Sequence, residues 1–333
     1  MRVYIDKENA SHIATARESE KYEMGMRLLK RNDLFFTFSK EDIFANDKLS
    51  RWYKNFNTGF KGEIKFIDSI FPDRPVKANF TKNCTFDQLT AIYLISDEKA
   101  STLAKLGNIL IADNHNDLDI VTSLCTDEDG ELTRSVRVKG IKEWKDLLLG
   151  NIPLTDIIIT DPYIFSDYDL LPNNLYSLLK ELTKRLKDSQ SKINIVILTL
   201  PELTLPNGRR VKPNFDKILS DIKNEVKKII GATPNVTFIL SREKDKHDRM
   251  IITNYISYDS GDSFNFFDSR QRIITKGDTW HINSHMKLEN LHNSQELLKD
   301  VQEIINRVSR LNNSNLIIGD KTSFFLNFSS LCK

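Results

Sequence analysis

The residues best suited to chemistry lie in one stretch, Asp245-Lys246-His247-Asp248-Arg249-Met250-Ile251-Ile252-Thr253-Asn254, with Gly261-Asp262-Ser263-Phe264-Asn265 just after it. An apolar run, Asn235 to Leu240, leads in. A charged turn follows from Ser241 to Asp245, and His247 and Arg249 open a second apolar run from Met250 to Tyr255. Side chains alternate across a strand, so residues two apart share a face, and the imidazole and guanidinium point the same way. One group can attack or carry protons; the other is a fork of N–H donors. Beside a small Gly/Ser/Asn loop whose backbone N–H groups a ligand can approach, the pair suits a phosphate. The stretch also reads as a solvated, salt-bridged turn at a strand entry, because short motifs recur by chance.

The order of these residues resembles the phospholipase D superfamily, whose signature is His-x-Lys, four residues, Asp, six residues, then Gly-Ser-x-Asn. This chain has His247-x-Arg249, four residues, Asn254, six residues, Gly261, then Ser263 and Asn265. The His and both spacings match. Arg stands for Lys, Asn for Asp, and one extra residue lies between Gly261 and Ser263. The resemblance covers residues 139–333 and implies an α/β fold there, a mixed sheet sandwiched by helices. It implies that His247 is the nucleophile, attacking phosphorus to form a phosphohistidine, and that Arg249 stabilises charge on the equatorial oxygens. Ser263 and Asn265, beside Gly261, would bind a non-bridging oxygen or orient His247. Asn254 would take the place of the carboxylate that orients the imidazole. No metal or other cofactor is implied. A second His must protonate the leaving oxygen, and short family members obtain it by dimerising, so a homodimer with two facing His247 side chains is expected. The implied activity is that of a phosphodiesterase, a nuclease rather than a lipase. The alternative is a module that has lost turnover and only binds nucleic acid or a protein partner.

Asp161-Pro162-Tyr163 closes a β-branched run, Asp156 to Thr160. In open α/β sheets ligands sit at that carboxyl edge, so Asp161 and Tyr163 are candidates for substrate contact. The alternative is that Asp-Pro only stops the strand. Between Lys180 and Lys228 there are twelve Lys/Arg and six Asp/Glu, and Arg209-Arg210-Val211-Lys212 follows the turn Pro206-Asn207-Gly208. Arg209 and Arg210 are therefore candidates for a polyanion, with a solvated lysine-rich helix face as the bland reading. His285-x-Lys287 fails the register, since His292 stands where Asp is required. His281, His285 and His292 have helical spacing for a metal, but Trp280-His281-Ile282 reads as strand and no acidic or Cys ligand stands in register. His115 lies in an acidic, turn-rich loop that reads as solvated. No Gly-rich phosphate loop, GxSxG elbow or HExxH occurs.

These candidates need elements to hold them. In the second half a short helix is expected over Ile141 to Leu149. Strands are expected over Asp156 to Thr160, Lys192 to Leu200, Val236 to Leu240, Met250 to Ile256 and Ile273 to Ile282. Helices are expected over Leu175 to Lys187, Phe215 to Ile230 and Gln295 to Val308. Residues 1–138 read as a smaller α/β or α+β domain, with strands at Val3 to Ile5, Leu34 to Phe38, Glu63 to Ile67 and Gly107 to Ile111. That domain also carries a helix over Ala14 to Arg31, a helix from Thr85 through Ile92, and a hairpin turn at Asp127-Glu128-Asp129-Gly130. It is expected to serve as sensor, substrate platform or protein-partner surface. The 333 residues carry 48 basic and 46 acidic side chains, which excludes a strongly basic nucleic-acid packer. Three scattered cysteines suit a reducing compartment, and no apolar run approaches ~18 residues, so a cytoplasmic protein without membrane attachment is expected.

Overall fold

The computed structural model describes residues 1–15, 20–58, 60, 62–67, 86–95, 109–110, 123–124, 133–149, 152–204, 210–242, 249–275, 279–310 and 314–329. His115, Arg209, the turn at 127–130 and the segment 243–248 that carries His247 lie outside the described residues. The chain divides into two units: Met1–Leu132 with Ser284–Leu291, and Thr133–Asn283 with His292–Lys333.

The first unit contains β1 (Arg2–Ile5), α1 (Lys7–Thr15), α2 (Glu20–Arg31), β2 (Asp33–Phe36), α3 (Lys40–Phe44), α4 (Asp47–Asn57), β3 (Ile64–Phe66), α5 (Phe86–Leu89), β4 (Ile92–Leu94) and β5 (Ile109–Leu110). Its described strands pair in the order β3-β2-β1-β4-β5, every pair parallel. Parallel neighbours need crossovers, and helices supply them, so the unit is α/β. Ser39 and Asn46 cap α3 and α4 through side chains that accept from the first-turn N–H groups. Of the helix expected over Ala14 to Arg31, Ala14 and Thr15 belong to α1 and Glu20–Arg31 is α2; residues 16–19 lie outside the described residues. The helix expected from Thr85 through Ile92 stops at Leu89, because the β-formers Ile92-Tyr93-Leu94 enter the sheet beside β1. Tyr4 stacks on both Phe35 and Tyr93 at 4.9 Å, and Phe36 packs against Trp52, Tyr53 and Phe66.

The second unit contains β6 (Thr133–Arg137), β7 (Asp156–Thr160), α6 (Ser177–Thr183), β8 (Asn194–Thr199), β9 (Leu203–Thr204), β10 (Arg210–Val211), α7 (Phe215–Ile230), β11 (Asn235–Leu240), β12 (Arg249–Ile252), β13 (Ile256–Ser260), β14 (Thr279–Ser284), most of α8 (Leu288–Arg310) and β15 (Ile317–Gly319). Eight of these strands form a mixed sheet, β15-β11-β8-β7-β12-β13-β14-β6. β11, β8 and β7 are mutually parallel; β15 and β12 run antiparallel at either side of them. Successive residues of β7 and β8 are all buried, so both faces of the sheet are covered there. Each such Ile, Leu or Val contributes roughly 1.5–3 kcal/mol by leaving water.

Local sequence explains the covering helix. Asn214 accepts from Lys217 N at the start of α7, and Gly231, at φ 79°, ends it in the left-handed conformation that glycine tolerates. The buried stripe Phe215, Ile218, Ile222, Val226 and Ile230 faces inward, and Phe215 meets Phe238 of β11 at 6.0 Å.

Three expectations need correction. Ile141 to Leu149 is not an amphipathic helix but a loop with one 3-10 turn, Trp144–Asp146. Trp144 is held there by burial against Phe266, Phe267 and Trp280 and by its Nε1 donating to Asn173 O at 3.0 Å. Met250 to Ile256 is not one strand: β12 ends at Ile252, and Thr253 N donates to Ile256 O at 2.9 Å to close a hairpin turn. Of Ile273 to Ile282, only the part from Thr279 is strand among the described residues. The first unit runs to Leu132, and β6 belongs with the second, where it hydrogen-bonds to β14.

Candidate functional site

β7 ends at Thr160, and the chain turns at Asp161 and Pro162. Tyr163 N donates to Asp161 Oδ1 at 2.9 Å, which closes the turn. β12 runs beside β7 with Met250 opposite Thr160, and Met250 N donates to Thr160 Oγ1 at 3.1 Å. That register sets Arg249 level with Asp161. On its other side Arg249 pairs with Ser260 of β13, so Gly261 is the next residue along, and Arg249 Nη1 donates to Gly261 O at 2.9 Å.

The loop after β13 then folds back over the end of β7. Ser263 Oγ donates to Asp161 Oδ2 at 2.7 Å and Phe264 N donates to the same oxygen at 2.8 Å. Asn265 Nδ2 donates to Tyr163 O at 2.9 Å, to Ser166 Oγ at 3.1 Å and to Ser263 Oγ at 3.3 Å. The loop is anchored behind by fully buried Phe264 and Phe266, edge-on to Trp280. It is also gripped by Asn174, whose Nδ2 donates to Phe267 O at 2.8 Å and whose Oδ1 accepts from Phe267 N at 2.9 Å.

Asp161 is fully buried, and burial pushes its carboxyl above the ordinary carboxylate range. The donors on Ser263, Phe264 and Tyr163 pull the other way, and so does the charge of Arg249. The guanidinium lies 5.9 Å from the centre of the Tyr163 ring, and Tyr163 is 40% exposed. Two polar atoms in this cluster, Arg249 Nε and Asn265 Oδ1, are buried without a hydrogen-bond partner among the described residues. An orphaned charged N–H is costly, on the order of 1–3 kcal/mol or more. The arrangement therefore offers a cation with unused donor capacity, an exposed aromatic face, and a serine loop held rigidly at a sheet's carboxyl edge.

Arg249, Gly261, Ser263, Asn265, Asp161 and Tyr163 are thus brought together from segments about 100 residues apart. Asp161 does more than stop a strand, since it anchors the Ser263 loop. Gly261 contributes its carbonyl to Arg249; its backbone is not in the left-handed region, and a Cβ there would meet nothing within 4 Å.

Asn254 is not brought to the cluster. It is fully buried in the β12–β13 turn, where its Oδ1 accepts from Thr155 N at 2.8 Å and its Nδ2 donates to Thr155 Oγ1 at 3.2 Å. Thr155 precedes β7, whereas Asp161 follows it, so Asn254 and Arg249 sit at opposite ends of β12 with roughly 10 Å of strand between them. Its observed role is to tie the hairpin turn to the start of β7, not to orient a group beside Arg249. Arg210 is exposed on β10, which pairs only with β9 among the described residues. Several lysines of the basic stretch are already paired: Lys180 and Lys228 with Glu225, Lys184 with Glu181, Lys223 with Asp320.

His281 hydrogen-bonds Ser135 Oγ at 2.9 Å and His285 is fully buried beside Phe86. The described residues contain no group of three His, Cys, Asp or Glu placed to hold a metal. No described helix is long and apolar enough to cross a membrane. Asn174 and Trp144 were missed as positioning residues, and nothing local distinguishes them: their roles depend on Phe267 and Asn173, which are remote or structural partners. No family model, no curated protein and no solved structure matches the chain.

Proposed function

We propose that the second unit is a phosphodiesterase acting on nucleic acid. The carrying observation is the Arg249 guanidinium, held at Nη1 by Gly261 O, beside the exposed Tyr163 ring and the Ser263 loop, with no partner for Nε among the described residues. A phosphate oxygen accepting from the outer edge of that guanidinium would make charge-assisted N–H···O bonds, which are about twice as strong as neutral ones. The exposed Tyr163 ring favours a nucleic acid over a lipid, since a base can stack on it. His247 precedes Arg249 by two residues and, by resemblance to the phospholipase D superfamily, attacks phosphorus to give a phosphohistidine that water resolves. The leaving oxygen takes its proton from a second His247 in a homodimer. Asp161 holds the Ser263 loop in place and balances Arg249 when the site is empty.

The test is cleavage of single- and double-stranded DNA and RNA by the full chain in EDTA. Cleavage should disappear in His247→Ala and fall about 100-fold or more in Arg249→Ala, and light scattering should give a dimer. Equal cleavage by wild type and His247→Ala overturns the reading. Tight binding with no cleavage by either protein would point instead to a module that only binds nucleic acid.

A further inference from the structure

Beyond the Arg249 cluster, the carboxyl ends of β8 and β11 carry a separate cavity of about 650 Å³. Small-ligand sites have volumes of roughly 300–1,000 Å³. Its floor is apolar, built by Pro201, Leu240, Ile304, Val308 and Leu316. Among the described residues its rim carries Lys212 after β10, Arg242 after β11 and Arg307 on α8, and one carboxylate, Glu202, which accepts from Arg242 Nη2 at 2.8 Å. An apolar floor with an excess of cations at the rim fits an amphiphilic anion: a flat apolar body and a phosphate. A second, smaller recess beside it is walled by Thr160, Asp161, Pro162 and Thr199 and shares Ser241 and Ile304 with the cavity. The cavity therefore adjoins the buried carboxylate that anchors the Ser263 loop.

We propose that this cavity binds a nucleotide, its base against Leu240, Ile304 and Val308 and its phosphate among Lys212, Arg242 and Arg307. The proposal rests on the nucleic-acid reading for the choice of a nucleotide over another amphiphilic anion. It gives that reading a subsite: the nucleotide next to the phosphodiester at Arg249 is the one gripped. Base identity is then read by the shape of the cavity, and the backbone by its three cations.

The test is calorimetric titration of the full chain with the four common ribonucleoside 5′-monophosphates, with adenosine, and with inorganic phosphate. The monophosphates should bind, with adenosine and phosphate each about tenfold weaker or more, because each lacks half of the contacts. The double variant Lys212→Ala/Arg242→Ala changes two exposed side chains. It should weaken monophosphate binding about tenfold for each cation removed, while Lys184→Ala, at an exposed lysine outside the cavity, should leave that affinity unchanged. The proposal is overturned if no monophosphate saturates the protein, if phosphate alone binds as tightly, or if the double variant binds like wild type. Loss of monophosphate binding in Arg249→Ala alone would place the nucleotide at Arg249, ending this proposal while the phosphodiesterase reading stands. Cleavage independent of His247, together with cavity-dependent monophosphate binding, would do the reverse.

Discussion

Asp156 opens β7 fully buried, at the end of the strand opposite Asp161. Its Oδ1 accepts from Ser323 Oγ at 2.7 Å, Phe324 N at 2.9 Å and Asn194 Nδ2 at 3.3 Å; its Oδ2 has no partner among the described residues. Burial pushes its carboxyl up to about 6, against an ordinary value of 3.8, with the Ser323 and Phe324 donors acting the other way. The folded chain thus holds this proton more tightly than the unfolded one. Its contribution to stability is most favourable below about pH 4, falls as pH rises from about 4 to 6, and is level above that, a change of roughly 3 kcal/mol. Asp156→Asn keeps the Oδ1 acceptor, removes the titration, and adds two amide N–H groups where Oδ2 lacked a partner, a constant cost of about 1–3 kcal/mol. The stability of the variant relative to wild type should therefore rise by roughly 3 kcal/mol between about pH 4 and pH 7. Urea unfolding followed by near-ultraviolet circular dichroism, which reports the Trp144–Phe266–Trp280 cluster of the same unit, measures that difference at each pH. Asp161 is shifted in the same direction but is common to both proteins, so it cancels. A difference that stays flat across this range, or that moves towards wild type as pH rises, refutes the assignment of a buried carboxyl at Asp156.

Ser263→Ala removes one of the two donors on Asp161 Oδ2; it should cost about 1.5–3 kcal/mol and raise the Asp161 carboxyl further, read by carboxyl carbon-13 titration. Arg249→Lys keeps the charge but loses the planar fork and the bond to Gly261 O, and should weaken oligonucleotide binding about tenfold with an unchanged melting temperature. Asn265→Asp removes the donor: the contact with Tyr163 O becomes repulsive, as does that with Ser263 Oγ, whose proton is given to Asp161, while the Ser166 hydroxyl can turn to donate; it should destabilise by about 1–3 kcal/mol in urea unfolding and loosen the loop in hydrogen exchange. Asn254→Ala orphans the buried Thr155 N–H and should cost about 1–3 kcal/mol of stability while leaving oligonucleotide affinity at the Arg249 cluster intact; loss of affinity without loss of stability would contradict its placement at the far end of β12.

Much of the second unit could be read directly from local pattern. Ile157 to Thr160 is β-branched throughout, and Phe215 to Ile230 carries a 3.6-residue apolar stripe between Asn214 and Gly231, so both elements lie where their residues suggest. The candidate cluster was legible in part for the same reason: Arg249, Gly261, Ser263 and Asn265 follow one another closely, and Asp161 ends a recognisable strand. Only tertiary structure decided which of them meet. Strand pairing is non-local, so the register of Met250 against Thr160, which sets Arg249 beside Asp161 and sends Asn254 to Thr155, leaves no trace in residue spacing. The hairpin turn within Met250 to Ile256 lacks Gly or Pro and is closed by Thr253 and Ile256 backbone atoms, so a mostly apolar run hid it. The grip of Asn174 on Phe267, and the pairing of β6 with β14 nearly 150 residues away, likewise exist only once the sheet has assembled. A chain's local pattern sets the type of each element, because side-chain periodicity is a local property. Which residues share a site is set by packing, because burial is satisfied by whichever distant partner completes it.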